Sequence, residues 1–262
     1  MIVLGYLGAL IIGIVLGLIG GGGSILTVPI FVYLLDVNPI LATAYSLFVV
    51  GVTALAGAIR NFQNNQIDFK TGIIFAIPAF LGVYIARAYL LDLIPNQILF
   101  FSLAIQKETV IMIFFAFIMF IASYFMIRGH KEDDGSIEIN YSNLILTFEG
   151  FIVGVLTGIV GAGGGFLIIP ALILFAKLPM KKAVATSLMI IAIKSLFGFV
   201  GDLGNSNLIF DWGLLFLFSI LSICGIFIGV YMTKFVDGKN LKKGFGWFVL
   251  IMAFIIIFQE VV

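Results

Sequence analysis

Charged side chains are scarce in this sequence. Lysine, arginine, aspartate and glutamate make up 10% of the 262 residues, whereas a soluble domain carries roughly 25%. The hydrophobic share is 62% and includes 28 phenylalanines. A soluble protein of this length has no interior large enough to bury that much apolar surface. We therefore expect the lipid bilayer to be the solvent of this chain.

Cysteine and histidine are nearly absent as well. The chain has one cysteine, Cys224, and one histidine, His130. A single cysteine excludes an internal disulfide framework and a multi-cysteine metal site, and one histidine leaves little room for a zinc centre. The net charge of +1 offers no basic patch to nucleic acid. We expect no cofactor, no metal and no nucleic-acid partner. A membrane-embedded enzyme is a minor alternative, because the apolar runs hold no nucleophile–base pair or carboxylate dyad.

Two glycine clusters interrupt the apolar runs. The first is Gly20-Gly21-Gly22-Gly23-Ser24, and the second lies 141 positions later as Gly161-Ala162-Gly163-Gly164-Gly165. A proline follows each cluster five residues on, Pro29 in the first case and Pro170 in the second. Each glycine costs a helix roughly 1 kcal/mol relative to alanine, so consecutive glycines predict a break. Open backbone within a bilayer is tolerated only where protein or a water-filled cavity surrounds it.

The apolar runs predict an all-α polytopic membrane protein, since about 20 apolar residues cross a bilayer. A piece at 98–105 is too short to cross. The predicted first repeat, 1–127, holds a broken unit at 2–35 and helices at 40–60, 71–91 and 109–127. A polar linker at 128–143 follows. The predicted second repeat, 144–262, holds a broken unit at 144–176 and helices at 182–201, 212–233 and 244–261.

The two halves align without a gap at the offset of 141. Gly17 and Leu26 of the first half match Gly158 and Leu167 of the second. The string Ala-x-Ala-x-Ser-Leu at 42–47 recurs at 183–188. Shared apolar composition does not align the glycines, the proline and this string in one register. The sequence therefore predicts an internal duplication.

Lysine and arginine counts in the loops indicate opposite orientations of the two halves. The loop at 36–39 has none and its counterpart at 177–182 has three, whereas the loop at 60–70 has two and its counterpart at 202–211 has none. This pattern predicts an inverted-topology repeat. The basic loops and the linker then lie in the cytoplasm, and both termini lie outside.

Inverted repeats require each broken unit to return to the side from which it entered. The glycine cluster is then the tip of a hairpin. The alternative is a single kinked helix in each unit, which makes the repeats parallel. Whether such hairpins are re-entrant or cross the membrane fully stays open.

The glycine tips are the first candidate site. A helix that restarts after a break has backbone N–H groups without partners and roughly half a positive charge at its start. Two such starts near the midplane would favour an anion. The alternative is close helix packing by small residues at every fourth position, namely Gly13, Gly17 and Gly21. The tip residues predicted to bind substrate are Gly21, Gly22, Gly23, Ser24, Gly163, Gly164 and Gly165.

Lys194 is the second candidate, because it lies well inside an apolar run, where an ionisable residue is costly and usually functional. Ser187, seven residues earlier, shares its helical face. Their counterparts in the first half are Ser46 and Thr53. The alternatives are a snorkelling lysine and hydroxyls that bond their own backbone. Glu149 is interpreted as a boundary residue, with proton coupling as its alternative.

Because of these paired motifs, the chain resembles the TauE/SafE family of membrane transporters along essentially its whole length. The resemblance rests on the paired glycine motifs with their prolines and on the two Ala-x-Ala-x-Ser-Leu strings. It implies export of a sulfur-containing anion, such as sulfite, a sulfonate or sulfoacetate, across a bacterial or archaeal cytoplasmic membrane. Ser24 stands where the second motif has Gly165, so the tips need not contribute equally. A passive anion channel is the alternative. Coupling to protons or ions and a homo-oligomer both stay open.

Overall fold

The computed structural model describes residues 2–21, 23–86, 90, 97–100, 103–128, 143–160, 165–174, 176–203 and 209–261. Apart from one small hairpin, these residues form helices joined by short turns. The helices are α1 (Ile2–Ile19), α2 (Gly23–Pro29), a π-helical turn (Ile30–Leu34), α3 (Pro39–Gln63), α4 (Phe69–Ile85), α5 (Lys107–Arg128), α6 (Asn143–Val160), α7 (Gly165–Leu174), α8 (Met180–Leu203), α9 (Trp212–Met232) and α10 (Gly238–Val261). The linker residues 129–142 lie outside the described part.

Four of these helices have the length and composition of membrane spans: Leu41–Gln63, Met180–Leu203, Trp212–Met232 and Lys239–Phe258. Shorter apolar helices accompany them within α1, α4, α5 and α6. Large apolar side chains cover the outer surface, as in Phe117 and Phe197, each 60% exposed. Such a surface suits lipid and would be a liability in water.

The hairpin consists of β1 (Gln97–Phe100) and β2 (Leu103–Gln106), which pair antiparallel. It occupies the apolar piece that the sequence predicts to be too short to cross the membrane. Strands of four residues at about 3.4 Å per residue reach less than half of a hydrocarbon core of about 30 Å.

Both glycine clusters coincide with the ends of helices. α1 ends at Ile19, Gly20 adopts a φ of +78° and α2 begins at Gly23. In the second half α6 ends at Val160 and α7 begins at Gly165. Directly after Pro29, the helix changes from α2 to the π-helical turn. The ring of this proline and its missing N–H disturb the regular α-helical hydrogen bonding.

The segment after the first break lies beside α1 and runs in the opposite direction. A Cβ added to Gly5 would lie 2.5 Å from Leu35 Cδ2, and one added to Gly8 would lie 3.0 Å from Ile30 Cδ1. Early residues of α1 thus face late residues of the returning segment. The absence of side chains at these two glycines lets the Leu35 and Ile30 side chains pack against the backbone of α1.

The turns that follow α2 and α7 have the same geometry in both halves. Asp36 and Lys177, which are 141 positions apart, adopt φ values of 56° and 46°. A left-handed backbone is uncommon for residues other than glycine. The N–H of the next residue closes each turn at 3.0 Å, from Val37 to the Phe31 carbonyl and from Leu178 to the Leu172 carbonyl. The duplicated sequence therefore folds into duplicated turns, each with one left-handed residue followed by an N–H that bonds the carbonyl six residues earlier.

Each half anchors a helix start of the other half. Asp68 caps α4 and Asp211 caps α9, and each carboxylate accepts the N–H three residues on. The backbone N–H of Asp68 donates to Thr186 Oγ1 at 3.0 Å, and that of Asp211 donates to the Tyr45 hydroxyl at 2.7 Å. Tyr45 and Thr186 are 141 positions apart. The same bond is thus made twice, with the roles of the halves exchanged.

The central helices α3 and α8, which are counterparts at the offset of 141, pack antiparallel. A Cβ on Gly198 would lie 3.4 Å from Leu47, whereas one on Gly57 would lie 3.1 Å from Leu188. The start of α3 therefore meets the end of α8. Helices α5 and α10, the last long helices of the two halves, also pack antiparallel. The Phe120 and Phe254 rings are 5.9 Å apart, and Ile127 lies beside Gly246.

Helix α1 packs parallel to α9, and α6 packs parallel to α4, through glycine contacts. A Cβ on Gly13 would lie 2.0 Å from the Ser222 carbonyl oxygen, and one on Gly17 would lie 2.5 Å from the Ile226 carbonyl oxygen. In the other pair, a Cβ on Gly154 would lie 2.1 Å from the Ala79 carbonyl oxygen. Small residues let backbones touch in this way. Close packing is thus the role of Gly13 and Gly17, as the alternative interpretation of these glycines predicted.

Candidate functional site

The two glycine tips meet in the interior of the bundle. A Cβ on Gly165 would lie 3.1 Å from Gly21 Cα and 2.7 Å from Ile191 Cδ1, and both glycines are buried. A Cβ on Gly20 would lie 2.6 Å from Ser187 Oγ. Ser187 and Ile191 belong to α8. The backbones of both tips therefore lie directly against one face of this helix.

The same face of α8 carries a buried cation. Lys194 follows Ile191 by three residues and Ser187 by seven, so the three share one helical face. The lysine is 7% exposed, and its Nζ donates to Thr157 Oγ1 at 2.8 Å. Thr157 lies on α6, four residues before the second glycine cluster, and its hydroxyl donates to the Gly154 carbonyl at 3.0 Å. The ammonium is thus held between α8 and the last turns of α6.

Thr53 brings an unsatisfied hydroxyl to the crossing of α3 and α8. It is fully buried, and its Oγ1 has no hydrogen-bond partner. It lies between Leu47 and Gly57, so their contacts with α8 place it at the level of residues 192–194. Leaving such a group unbonded costs roughly 1–3 kcal/mol. A polar ligand that accepted this hydrogen bond would remove that cost.

The sequence-predicted site residues fall into two groups. Gly21, Gly23, Gly165, Ser46, Thr53, Ser187 and Lys194 are all buried. Gly22, Gly163 and Gly164 lie outside the described residues, as does the side chain of Ser24. Ser187 Oγ donates to the Val184 carbonyl at 2.8 Å, which is the backbone bonding that the sequence analysis held as an alternative. Its oxygen keeps acceptor capacity only.

Thr157, the partner of Lys194, is the residue of this arrangement that sequence reasoning missed. A threonine in an apolar helix is unremarkable by itself, because its hydroxyl can bond its own backbone. The signal lay in the repeat: its counterpart at the offset of 141 is Leu16, and the counterpart of Lys194 is Thr53. The second half thus carries a lysine–threonine pair that the first half lacks, which makes the site asymmetric.

The remaining titratable groups lie away from this arrangement or outside the described part. Glu149 on α6 is half-buried, and its Oε2 makes no hydrogen bond. Arg87 and His130 fall outside the described residues. Cys224 is exposed on α9. Within the described ranges, no three histidine, cysteine, aspartate or glutamate side chains are placed to hold a metal ion.

The sequence is similar to known membrane proteins along most of its length. The profile of the sulfite exporter TauE/SafE family matches residues 5–256. The chain is 29% identical to a probable membrane transporter protein of Xylella fastidiosa strain 9a5c, over 95% of this chain and 92% of that protein. It is also 29% identical to the probable membrane transporter protein YunE of Bacillus subtilis, with the same coverage.

An archaeal relative is similar as well. The probable membrane transporter protein MJ0441 of Methanocaldococcus jannaschii is 30% identical over 78% of this chain and 71% of its own length. No solved structure matches the chain. The family match spans nearly all of the sequence, including both glycine clusters, and the relatives are named as membrane transporters. The chain therefore belongs to the TauE/SafE family of membrane transporters.

Proposed function

We propose that this transporter carries a small anion, bound where the two glycine tips lie against α8 beside Lys194. The observation that carries the proposal is the burial of Lys194 on α8, three residues after Ile191, whose side chain packs against Gly165 where Gly165 meets Gly21. A cation at this depth is expensive unless a group of opposite charge or a set of acceptors compensates it. An anionic substrate would add an opposite charge to the partners that the ammonium already has, of which Thr157 Oγ1 is one.

The tips add two further attractions for an anion. Helix α7 begins at Gly165, and the helical segment that continues to Leu34 begins at Gly23. The first N–H groups of a helix have no partners within it, and the aligned peptide dipoles place roughly half a positive charge there. Glycine lets a ligand approach this backbone closely. The Thr53 hydroxyl, buried and unbonded, is a further donor that we assign to the same ligand.

The helix directions support two inverted repeats, 1–127 and 144–262, joined by a cytoplasmic linker at 128–143. Counterpart helices that pack antiparallel are related by an axis in the membrane plane. Single kinked helices in the broken units would instead make α3 and α8 parallel. The return of the chain from Gly23 to Leu35 beside α1 supports a hairpin in the first half.

The lengths of the returning segments favour re-entrant hairpins. Twelve residues from Gly23 to Leu34 and ten in α7 span about 18 and 15 Å at 1.5 Å per residue. A hydrocarbon core is about 30 Å thick. These lengths favour tips that end inside the bilayer, and rocking of one half against the other would then expose the site alternately to each side.

The inverted topology is tested by labelling two counterpart turns from outside the cell. In a Cys224→Ser background, Asp36→Cys should react with a membrane-impermeant maleimide in intact cells. Lys177→Cys should react only after permeabilisation, because it lies in a predicted cytoplasmic loop. Asn65→Cys, on a loop assigned to the same side as Lys177, serves as the matched control. Labelling of Asp36→Cys and Lys177→Cys from the same side would contradict inverted repeats and the assignment of both termini to the outside.

The family relationship favours a sulfur-containing anion, of the sulfite, sulfonate or sulfoacetate class, and export from the cytoplasm. Purified protein in liposomes loaded with sulfite or sulfoacetate should release the anion with saturable kinetics. Substrate on the opposite side should accelerate release, because a reorienting carrier returns faster when loaded. Imposed proton and sodium gradients identify the coupling ion. If the flux does not saturate and does not change with substrate on the opposite side, the protein is a passive anion channel and not a carrier.

A further inference from the structure

A second polar feature lies between the last turns of α3 and α9. The two helices run in the same direction, with Tyr45 near Asp211 at one end and Gly57 near Ile226 farther along. Beyond Ile226 they enclose a cleft of about 510 Å³, a size typical of small-ligand pockets. We propose that this cleft binds an anionic phospholipid, with the phosphate at its mouth and the upper acyl chain along its walls.

The mouth of the cleft carries two cations. Arg60 lies three residues before the end of α3, and Lys234 lies two residues after the end of α9. The Arg60 guanidinium donates to Gln63 Oε1 at 3.4 Å, and Lys234 Nζ lies 5.8 Å from the centre of the Tyr231 ring. None of the described residues that line the cleft is acidic. The partial negative charge at each helix end is roughly half a unit, so it does not cancel the two full charges.

The walls below these cations are apolar and open towards lipid. Ile59 is 52% exposed and Phe227 is 46% exposed, while Val230 closes the back of the cleft at 5%. A free soluble anion would use only the charged mouth. A phospholipid uses both parts, because its phosphate pairs with the cations while its chain covers the apolar wall. The combination therefore favours a lipid over a soluble anion.

The cleft is not required by the repeated architecture. The counterpart of Arg60 in the second half is Gly201, where a Cβ would meet nothing within 4 Å. The counterpart end of α8 thus lacks the arginine, although the helix packing is duplicated. Among the described residues, the arginine is therefore a feature of the end of α3 and does not follow from the repeat.

The test compares lipid binding by the purified wild-type protein and the Arg60→Gln/Lys234→Gln variant. Native mass spectrometry and thermal-shift titrations would use phosphatidylglycerol, phosphatidylcholine and soluble glycerol 3-phosphate. Phosphatidylglycerol should bind the wild type and raise its melting temperature. The double variant should bind it roughly 25-fold more weakly, since each basic side chain near an anionic headgroup contributes about fivefold.

Lys239→Gln/Lys243→Gln is the matched control, because it removes two exposed charges outside the cleft and should bind like the wild type. The single variants Arg60→Gln and Lys234→Gln should each lose about half of the effect on a logarithmic scale, which covers the case of a double variant that fails to fold. Equal binding by the double variant would overturn the proposal. So would equal stabilisation by phosphatidylcholine, or by glycerol 3-phosphate alone, which would indicate a free-phosphate site.

Discussion

Replacing Gly165 with leucine is expected to abolish transport while the protein still inserts into the membrane. A Cβ at this position would lie 3.1 Å from Gly21 Cα and 3.2 Å from the Gly21 carbonyl oxygen. Both atoms belong to backbone, so no side chain can move aside. The tips must separate, and a displacement of about 1 Å at a preorganised site lowers rates by roughly 100-fold. The measurement is initial sulfite flux per reconstituted protein in liposomes.

Gly201→Leu is the matched control for this prediction. Gly201 is also a helical glycine of the second half, but it is exposed and meets nothing within 4 Å. Its leucine variant should transport like the wild type. Gly165→Ala should give an intermediate loss, because only one carbon is added. If Gly165→Leu is expressed normally and transports at the wild-type rate, the glycine tips are not part of the transport mechanism.

The helix breaks at the glycine clusters and the positions of the long helices could be predicted because they depend on local chemistry. Consecutive glycines cannot sustain a helix, and the predicted 40–60 and 182–201 runs lie within α3 (Pro39–Gln63) and α8 (Met180–Leu203). Both helices extend past the predicted limits. The count of apolar residues locates the edge of the hydrocarbon core, whereas the helical hydrogen bonds continue into the headgroup region. The bonds between the halves, such as Asp211 to Tyr45, depend on tertiary contact, which local patterns do not specify.

The candidate site could likewise be predicted from the sequence only in part. Lys194 could be found from sequence because a charge inside an apolar run is conspicuous. Its bond to Thr157 joins residues 37 positions apart on different helices, and a lone threonine gives no signal of such a partner. The β1–β2 hairpin was not predicted, because an eight-residue apolar piece lacks the alternation that identifies a strand exposed on one face.

Lys194→Met is expected to weaken anion binding by about 10- to 100-fold, since a hydrogen bond to a charged group contributes roughly 1.5–3 kcal/mol. Methionine keeps a long flexible chain and removes only the ammonium. The melting temperature without substrate should stay the same or rise, because a buried cation that must be desolvated is absent from the variant. The measurements are sulfite affinity by calorimetry and the melting temperature of the same sample.

The two readouts separate a substrate ligand from a structural lysine. If Lys194 binds the substrate, the Lys194→Met variant loses affinity and keeps its stability. If Lys194 only supports packing through Thr157, the variant loses stability and keeps its affinity. Thr157→Val isolates the positioning effect: it removes the bond that holds the ammonium and should lower affinity by a smaller factor than Lys194→Met. Lys243→Met, which removes an exposed charge on α10, should change neither quantity. Unchanged affinity in Lys194→Met with a lower melting temperature would place the anion elsewhere and leave the lysine with a packing role.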